Sequence, residues 1–323
     1  MNVPLHEMSM KDVYGQTLVE LGERDNRIVV IDADLSGASG STPFRNKFPD
    51  RYVNVGVAEA NMIGIAAGLA SDGKIPFCCS FTPFASRRVY DQITVSVAFA
   101  NNGVNIVGIA PGITTGINGG THMCFQDLAI MRAMPNMVVL SPADVYELRG
   151  CMYWMASTRS PAYMQLIRSK QKPLRVGDKQ FQLGRAVLLH EGADATLVST
   201  GYTTQFALTA AEWLQEEGIG VDLLHCPCIK PFPSDDLLLS AHKTNAVVTV
   251  ENQSTIGGLG GAAAELLSEA YPVPVKRLGI PDVFGEVVLD DTYILEKYSF
   301  GPRHIAEACR EFARHQNRPS GTV

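Results

Sequence analysis

Residues 55–70 read VGVAEANMIGIAAGLA, and the fold of the whole chain turns on how this stretch is read. An apolar run ending at Val57 closes a strand, and a helix follows at once with Glu59 in its first turn. Ala58, Ala60, Gly64, Ala66, Ala67, Gly68 and Ala70 keep that helix slim, so other backbone or a ligand can approach it closely. The plain role for Glu59 is to complement the helix dipole, a contribution of about 0.3–1 kcal/mol. The order of the flanking segments points to a second role.

Outward from this stretch, a helix is expected over 11–23 and strands over 27–31 (RIVVI), 52–57, 105–109 (NIVGI) and 137–140 (MVVL). Each strand is a continuous apolar run, as expected when both faces are covered. Strands alternating with helices imply right-handed crossovers and a mostly parallel sheet. Residues 170–179 break the rhythm, being polar, basic and unperiodic. It restarts with a strand over 195–200, a helix over 203–217 and a strand over 220–225. A helix from 235, a strand over 246–251 and a helix over 260–270 complete it. The expected fold class is therefore α/β in two domains, each a mostly parallel sheet flanked by helices. They span residues 1–175 and 182–323, joined at about 175–181, and residues after Arg314 are expected to fray. A length of 323 residues suits two cores better than one.

Against 27 Lys+Arg stand 33 Asp+Glu, a formal charge of -6, which argues against nucleic acid or an anionic membrane as the main partner. The 7 cysteines form no paired CxxC units, so buried reduced thiols are expected and no metal site. The amino terminus, MNVPLHEMSMKD, lacks an apolar signal core, and no window reaches the length of a membrane span. A cytoplasmic location is expected. The run IGGLGG at 256–261 invites a dinucleotide reading, yet no acidic residue ends a strand about 20 positions on. Close packing at a strand-to-helix turn explains it better.

Four stretches in order, DADLSGASG at 32–40, residues 55–70, FTPFASRRVYDQI at 81–93 and GINGGTHMCFQDLAIMRAMPNMVVLSPAD at 116–144, form a linked set. Together they resemble the pyrimidine-binding domain of transketolases and 1-deoxyxylulose 5-phosphate synthases. The similarity runs on into the second domain, where Val250-Glu251 precedes the glycine-rich segment. The resemblance implies that Glu59 hydrogen-bonds N1′ of the aminopyrimidine ring of thiamine diphosphate. A carboxyl in a dry pocket can share a proton with that nitrogen, favouring the tautomer that deprotonates thiazolium C2, which then attacks a ketose carbonyl. Phe81 and Phe84 match aromatics that line the pyrimidine, although two phenylalanines three apart also suit a core. His122, in GGTHM, matches a histidine facing the substrate channel, where it would bond a hydroxyl or assist proton transfer.

Arg168, in YMQLIRSK, matches an arginine that binds sugar phosphate. Lys11 falls where the family has a second basic residue, and Ser39 could add a hydroxyl contact. Simple surface solvation is the alternative for either cation. Two positions depart from the family. Asn118 stands where an aspartate accepts a bond from a sugar hydroxyl, and Ala110 where a phosphate-contacting histidine is expected. These departures put the standard pentose phosphates in question, while a bidentate arginine still suits a phosphate or sulfonate terminus.

The family's GDG motif is missing, and Asn101-Asn102 has none before it. The diphosphate-binding domain is therefore expected on a separate partner subunit, which would hold most of the diphosphate and Mg²⁺, with two copies of each chain. The expected activity is transfer of a two-carbon ketol unit from a phosphorylated ketose to an aldose. Alternatives are the beta subunit of a 2-oxo acid dehydrogenase first component, a noncatalytic scaffold, and, on the IGGLGG run alone, a nicotinamide or flavin oxidoreductase.

Overall fold

The computed structural model describes residues 4–174 and 181–316. The expected linker at 175–181 lies, apart from Phe181, outside the described residues, as do residues 317–323 of the tail.

In the first sheet every strand except the edge strand Tyr52–Asn54 is an apolar run buried along most of its length, because helices cover both faces of the sheet. β1 (Ile28–Asp32), β2 (Tyr52–Asn54), β3 (Ile75–Phe81), β4 (Asn105–Ile109), β5 (Val138–Leu140) and β6 (Ala162–Leu166) form one sheet. Its order is β5-β6-β4-β3-β1-β2, with every pair parallel. In the second half of the chain come β7 (Val187–His190), β8 (Ala195–Ser199), β9 (Val221–His225), β10 (Cys228–Lys230), β11 (Val247–Ser254) and β12 (Val275–Ile280). The second sheet runs β12-β11-β8-β9-β7 and is parallel except for β7, which lies antiparallel to β9. The two-domain α/β expectation is met. One crossing was not anticipated: β10 leaves the second half of the chain and pairs antiparallel with β5, on the edge of the first sheet.

The helices begin where capping chemistry lets them. Ser9 accepts a bond from the Asp12 amide at 3.1 Å to start the helix Met10–Arg24, whose buried Met10, Val13, Tyr14, Leu18 and Leu21 recur at helical spacing. Asp144 accepts from the Tyr146 and Glu147 amides, both at 2.9 Å, to start the helix Val145–Ser157. Among the described residues no helix is long and apolar enough to cross a membrane.

The two halves are locked together by buried polar contacts. His225, at the end of β9, meets the Glu147 carboxylate at 2.7 Å through Nε2 and Thr204 at 2.8 Å through Nδ1. Asn252, in β11, holds the turn after β4 from both sides. Its Nδ2 donates to the Pro111 carbonyl at 3.0 Å and its Oδ1 accepts from the Ile113 amide at 3.0 Å. That turn is backbone-strained at Ala110, whose φ of 54° lies in the left-handed region, while Gly112 takes φ 59° as only glycine does without strain. Its shape is therefore imposed by the second domain.

Candidate active site

In parallel α/β sheets the loops that leave the carboxyl ends of the strands make the ligand crevice. The candidate site gathers there from three such connections. Glu59 begins the helix Glu59–Ser71 after β2, with Ala58 before it offering no capping side chain. Ser80 and Phe81 end β3, Phe84 follows in the next turn, and His122 lies on the loop after β4.

Glu59 is buried, and each carboxylate oxygen has its own donor. Ser80 Oγ donates to Oε1 at 3.3 Å, and Arg88 Nη1 donates to Oε2 at 2.9 Å. The Arg88 guanidinium lies 3.8 Å from the centre of the Phe84 ring. Phe81, Phe84 and His122 form an aromatic wall beside Arg88. Their ring centres stand 6.4 Å apart for the phenylalanine pair and 5.5 and 5.2 Å from each phenylalanine to the histidine, all edge to face. His122 Nδ1 is 3.0 Å from the Thr121 hydroxyl, and Arg87 donates to the Thr121 carbonyl at 3.3 Å, pinning the loop. The structure thus brings together Glu59, Phe81, Phe84 and His122.

Arg88 was missed in the sequence. It lies in FTPFASRRVYDQI beside Arg87, and nothing in that stretch singled it out. The signal that could have found it is its spacing of four from Phe84, which lets a guanidinium lie over that ring.

The other expected site residues fall elsewhere. Asn118 is exposed at the end of the turn Gly112–Asn118. That turn and the His122 loop pack on the second domain, where side chains added at Gly116, Gly119 and Gly120 would strike Val288, Val287 and Gly285. Lys11 packs on Gly40, and the neighbouring Met10 amide donates to the Ser169 carbonyl at 3.3 Å, so Lys11, Ser39 and Arg168 share one corner of the first domain. Arg168 is exposed and has no side-chain partner among the described residues. Ser39 differs from the expectation. It is buried, with its hydroxyl 3.0 Å from both Asp32 Oδ2 and Ser41 Oγ, so it braces the loop after β1 and offers no free hydroxyl.

The glycine run is settled by one contact. The Glu251 carboxylate accepts from the Leu259 and Gly260 amides, both at 2.8 Å, and fills the start of the helix Leu259–Ala270 where a phosphate would otherwise sit. Burial pushes this carboxyl up to about 7. All seven cysteines are free and buried, and burial pushes the Cys124 thiol up to about 11, out of the reactive range. Among the described residues no group of three or more His, Cys, Asp or Glu is placed to hold a metal ion.

Behind the aromatic wall lies a buried network. Tyr163 and Gln165 donate to Asp127 Oδ2 at 2.8 and 2.7 Å, while Asp127 Oδ1 has no partner. Burial raises this carboxyl to about 6 from the ordinary 3.8. At Asp127 the folded chain therefore binds more protons than the unfolded chain between about pH 4 and 6, so this group's contribution to stability falls as pH rises through that window, while Glu251 adds a decline of the same sign up to about pH 7. The expected loss is about 1–3 kcal/mol, from about 1.4 kcal/mol for each pH unit separating the two states. Urea titrations from pH 4 to 7 should show this decline in wild type and a flatter profile in Asp127→Asn; parallel profiles would exclude Asp127 as its source.

A buried carboxylate beside an aromatic wall suits a planar nitrogen heterocycle with a hydrogen-bonding edge. Residues 6–173 match the model of the transketolase pyrimidine-binding domain, and residues 184–305 match that of the transketolase C-terminal domain. The chain belongs to the transketolase family. Transketolases and 1-deoxyxylulose 5-phosphate synthases use thiamine diphosphate. This transketolase-family chain is 48% identical over 315 residues to the 6-deoxy-6-sulfo-D-fructose transketolase subunit SqwH of Clostridium sp. (strain MSTE9), covering 98% of each. It is 33% identical to the 1-deoxy-D-xylulose-5-phosphate synthase of Symbiobacterium thermophilum over 93% of its own length but only 46% of that enzyme. A split-gene transketolase solved as an inactive beta4 tetramer superposes with a TM-score of 0.87 at 40% identity, covering 95% of this chain and 98% of that one. The chain thus covers nearly the whole of the SqwH subunit and of the split-gene transketolase chain, but only about half the length of the longer synthase.

Proposed function

We propose that this chain is the pyrimidine-binding subunit of a two-subunit thiamine diphosphate-dependent transketolase, moving a two-carbon ketol unit from an anionic ketose to an aldose. The observation that carries this reading is the buried Glu59 carboxylate, joined through Arg88 to the cluster of Phe84, Phe81 and His122. When bound, thiamine diphosphate supplies the electron sink that lets the C2–C3 bond of a ketose break. Glu59 holds a proton against N1′ of the pyrimidine, and Phe84 and Phe81 orient that ring and exclude water. His122 bonds a substrate hydroxyl beside them, and Asn118 adds a neutral donor and acceptor where the family has an acid. Arg168 and Lys11 receive the anionic terminus. Ser39, already bonded to Asp32, shapes their loop.

A partner subunit is supported by what is left uncovered. Gly64 and Gly68 lie on an exposed side of the helix Glu59–Ser71, and a side chain added at either would meet nothing within 4 Å. Phe99 is 85% exposed, and Phe284 and Leu289 are 82% and 90% exposed. The partner would bring the residues for Mg²⁺ and the diphosphate, in an assembly with two copies of each chain and a cytoplasmic setting.

The relative's named substrate sets the first donor to try. With a subunit carrying the diphosphate-binding half, thiamine diphosphate and Mg²⁺, 6-deoxy-6-sulfo-D-fructose and fructose 6-phosphate are to be compared with fructose. Transfer is expected only with both chains present. Anionic donors should exceed neutral fructose by about 10- to 100-fold, and Arg168→Ala should erase most of that preference. Equal use of fructose would remove the anionic subsite. Pyruvate consumption without ketol transfer would point to the 2-oxo acid dehydrogenase alternative.

A further inference from the structure

Arg88 has no assigned part in the reading above, yet it is the group most closely bonded to Glu59. Its guanidinium is held on two sides, by the Glu59 carboxylate at 2.9 Å and by the Phe84 ring at 3.8 Å. Its side chain remains 47% exposed. The donors to the two carboxylate oxygens come from different elements, Ser80 from β3 and Arg88 from the 3-10 turn Arg87–Val89. Two donors on two oxygens set the plane of a carboxylate, where one would leave it free to turn. An ionised carboxylate has about four acceptor positions. With two of them taken, Glu59 keeps an open oxygen position on which to carry the proton it shares with a ring nitrogen.

We propose that Arg88 is a positioning residue for Glu59. Together with Ser80 it fixes the plane of the carboxylate against the cofactor's pyrimidine, and it acts on the reaction through Glu59 without touching substrate. The inference rests on the transketolase reading. Its alternatives are concrete. Arg88 could touch substrate itself, or it could occupy the ring's place on Glu59 and Phe84 until the cofactor displaces it.

The test uses the complete two-subunit complex with Arg88→Met, which keeps a stem over Phe84 but removes the fork, and Arg88→Lys, which returns the charge. Ser80→Ala removes the other donor and serves if Arg88→Met does not fold. Glu59→Gln and the Glu59→Gln/Arg88→Met double variant complete the set. Donor kcat and KM, thiamine diphosphate Kd by calorimetry, and the near-ultraviolet circular dichroism of the bound cofactor are to be measured.

For Arg88→Met the expected result is a fall in kcat of about 10- to 100-fold, KM within about threefold, and cofactor binding unchanged or weaker. The dichroism band should shift in Arg88→Met and return in part in Arg88→Lys. Ser80→Ala should lower kcat in the same sense by a smaller factor. In the Glu59→Gln background Arg88→Met should cost less than about twofold, because its only route is through Glu59. Four results would overturn the proposal: a raised KM with kcat kept, tighter cofactor binding in Arg88→Met, an equal loss in both backgrounds, or full activity in Arg88→Met. A wild-type complex that neither binds the cofactor nor transfers ketol would instead remove the functional reading, and this inference with it.

Discussion

Glu59→Gln is expected to leave the chain folded and its complex assembled while ketol transfer falls about 10²- to 10⁴-fold, the range for loss of a positioned proton-transfer group. The substitution is nearly isosteric. The amide oxygen can still accept one of the two bonds now made by Ser80 and Arg88, and Arg88 is half exposed, so water can satisfy what the amide cannot. What the amide lacks is the capacity to take and return a proton at the pyrimidine edge. The measurement is kcat at saturating cofactor and donor, with circular dichroism melting as the control for folding. Activity near wild type would mean that the buried carboxylate is structural, and that the catalytic proton is handled elsewhere.

Gly112→Ala should have the largest effect on stability, a loss of at least about 4 kcal/mol, within the range seen only when a substitution meets rigid surroundings. Two independent causes add here. Gly112 has φ 59°, where an alanine is strained by about 1–2 kcal/mol. A methyl group there would also stand 2.0 Å from the Asn252 carbonyl oxygen and 2.5 Å from its side-chain amide. Those atoms are backbone and a doubly bonded amide, so neither can rotate away. The Gly112 amide also donates to the Cys124 carbonyl at 3.2 Å, which ties the turn to the loop carrying His122. The residual folded protein should therefore lose activity as well, since a shift of about 1 Å in a positioned group can cost about 100-fold. Urea denaturation checks the first part; an unchanged midpoint would show that the two domains do not clamp this turn.

These predictions differ in how far they were visible before folding. The role proposed for Glu59 follows from a local pattern, a carboxylate at the start of a small-residue helix after an apolar strand, together with the resemblance carried by the stretches around it. Phe84 and His122 followed from the same motifs. Ser39 shows the limit of that route: the motif supplied a hydroxyl at the expected place, and Asp32 and Ser41 had already engaged it. Arg88 shows the opposite limit, a residue passed over because its partner lies 29 positions away.

The amino-acid sequence by itself determined the alternation of buried strands and covering helices, the division into two α/β halves, and the placement of Glu59 at a helix start. These depend on periodicity and composition within about a dozen residues, where hydrophobic burial and backbone geometry act locally. Only the tertiary structure decided that β10 returns to the first sheet, that Asn252 grips a turn 139 residues earlier, that Asp127 is buried under Tyr163 and Gln165, and that Arg88 holds Glu59. Such contacts leave no periodic trace. Each needs only one polar group on either side, and which groups meet is set by how packed layers bring distant strand ends together.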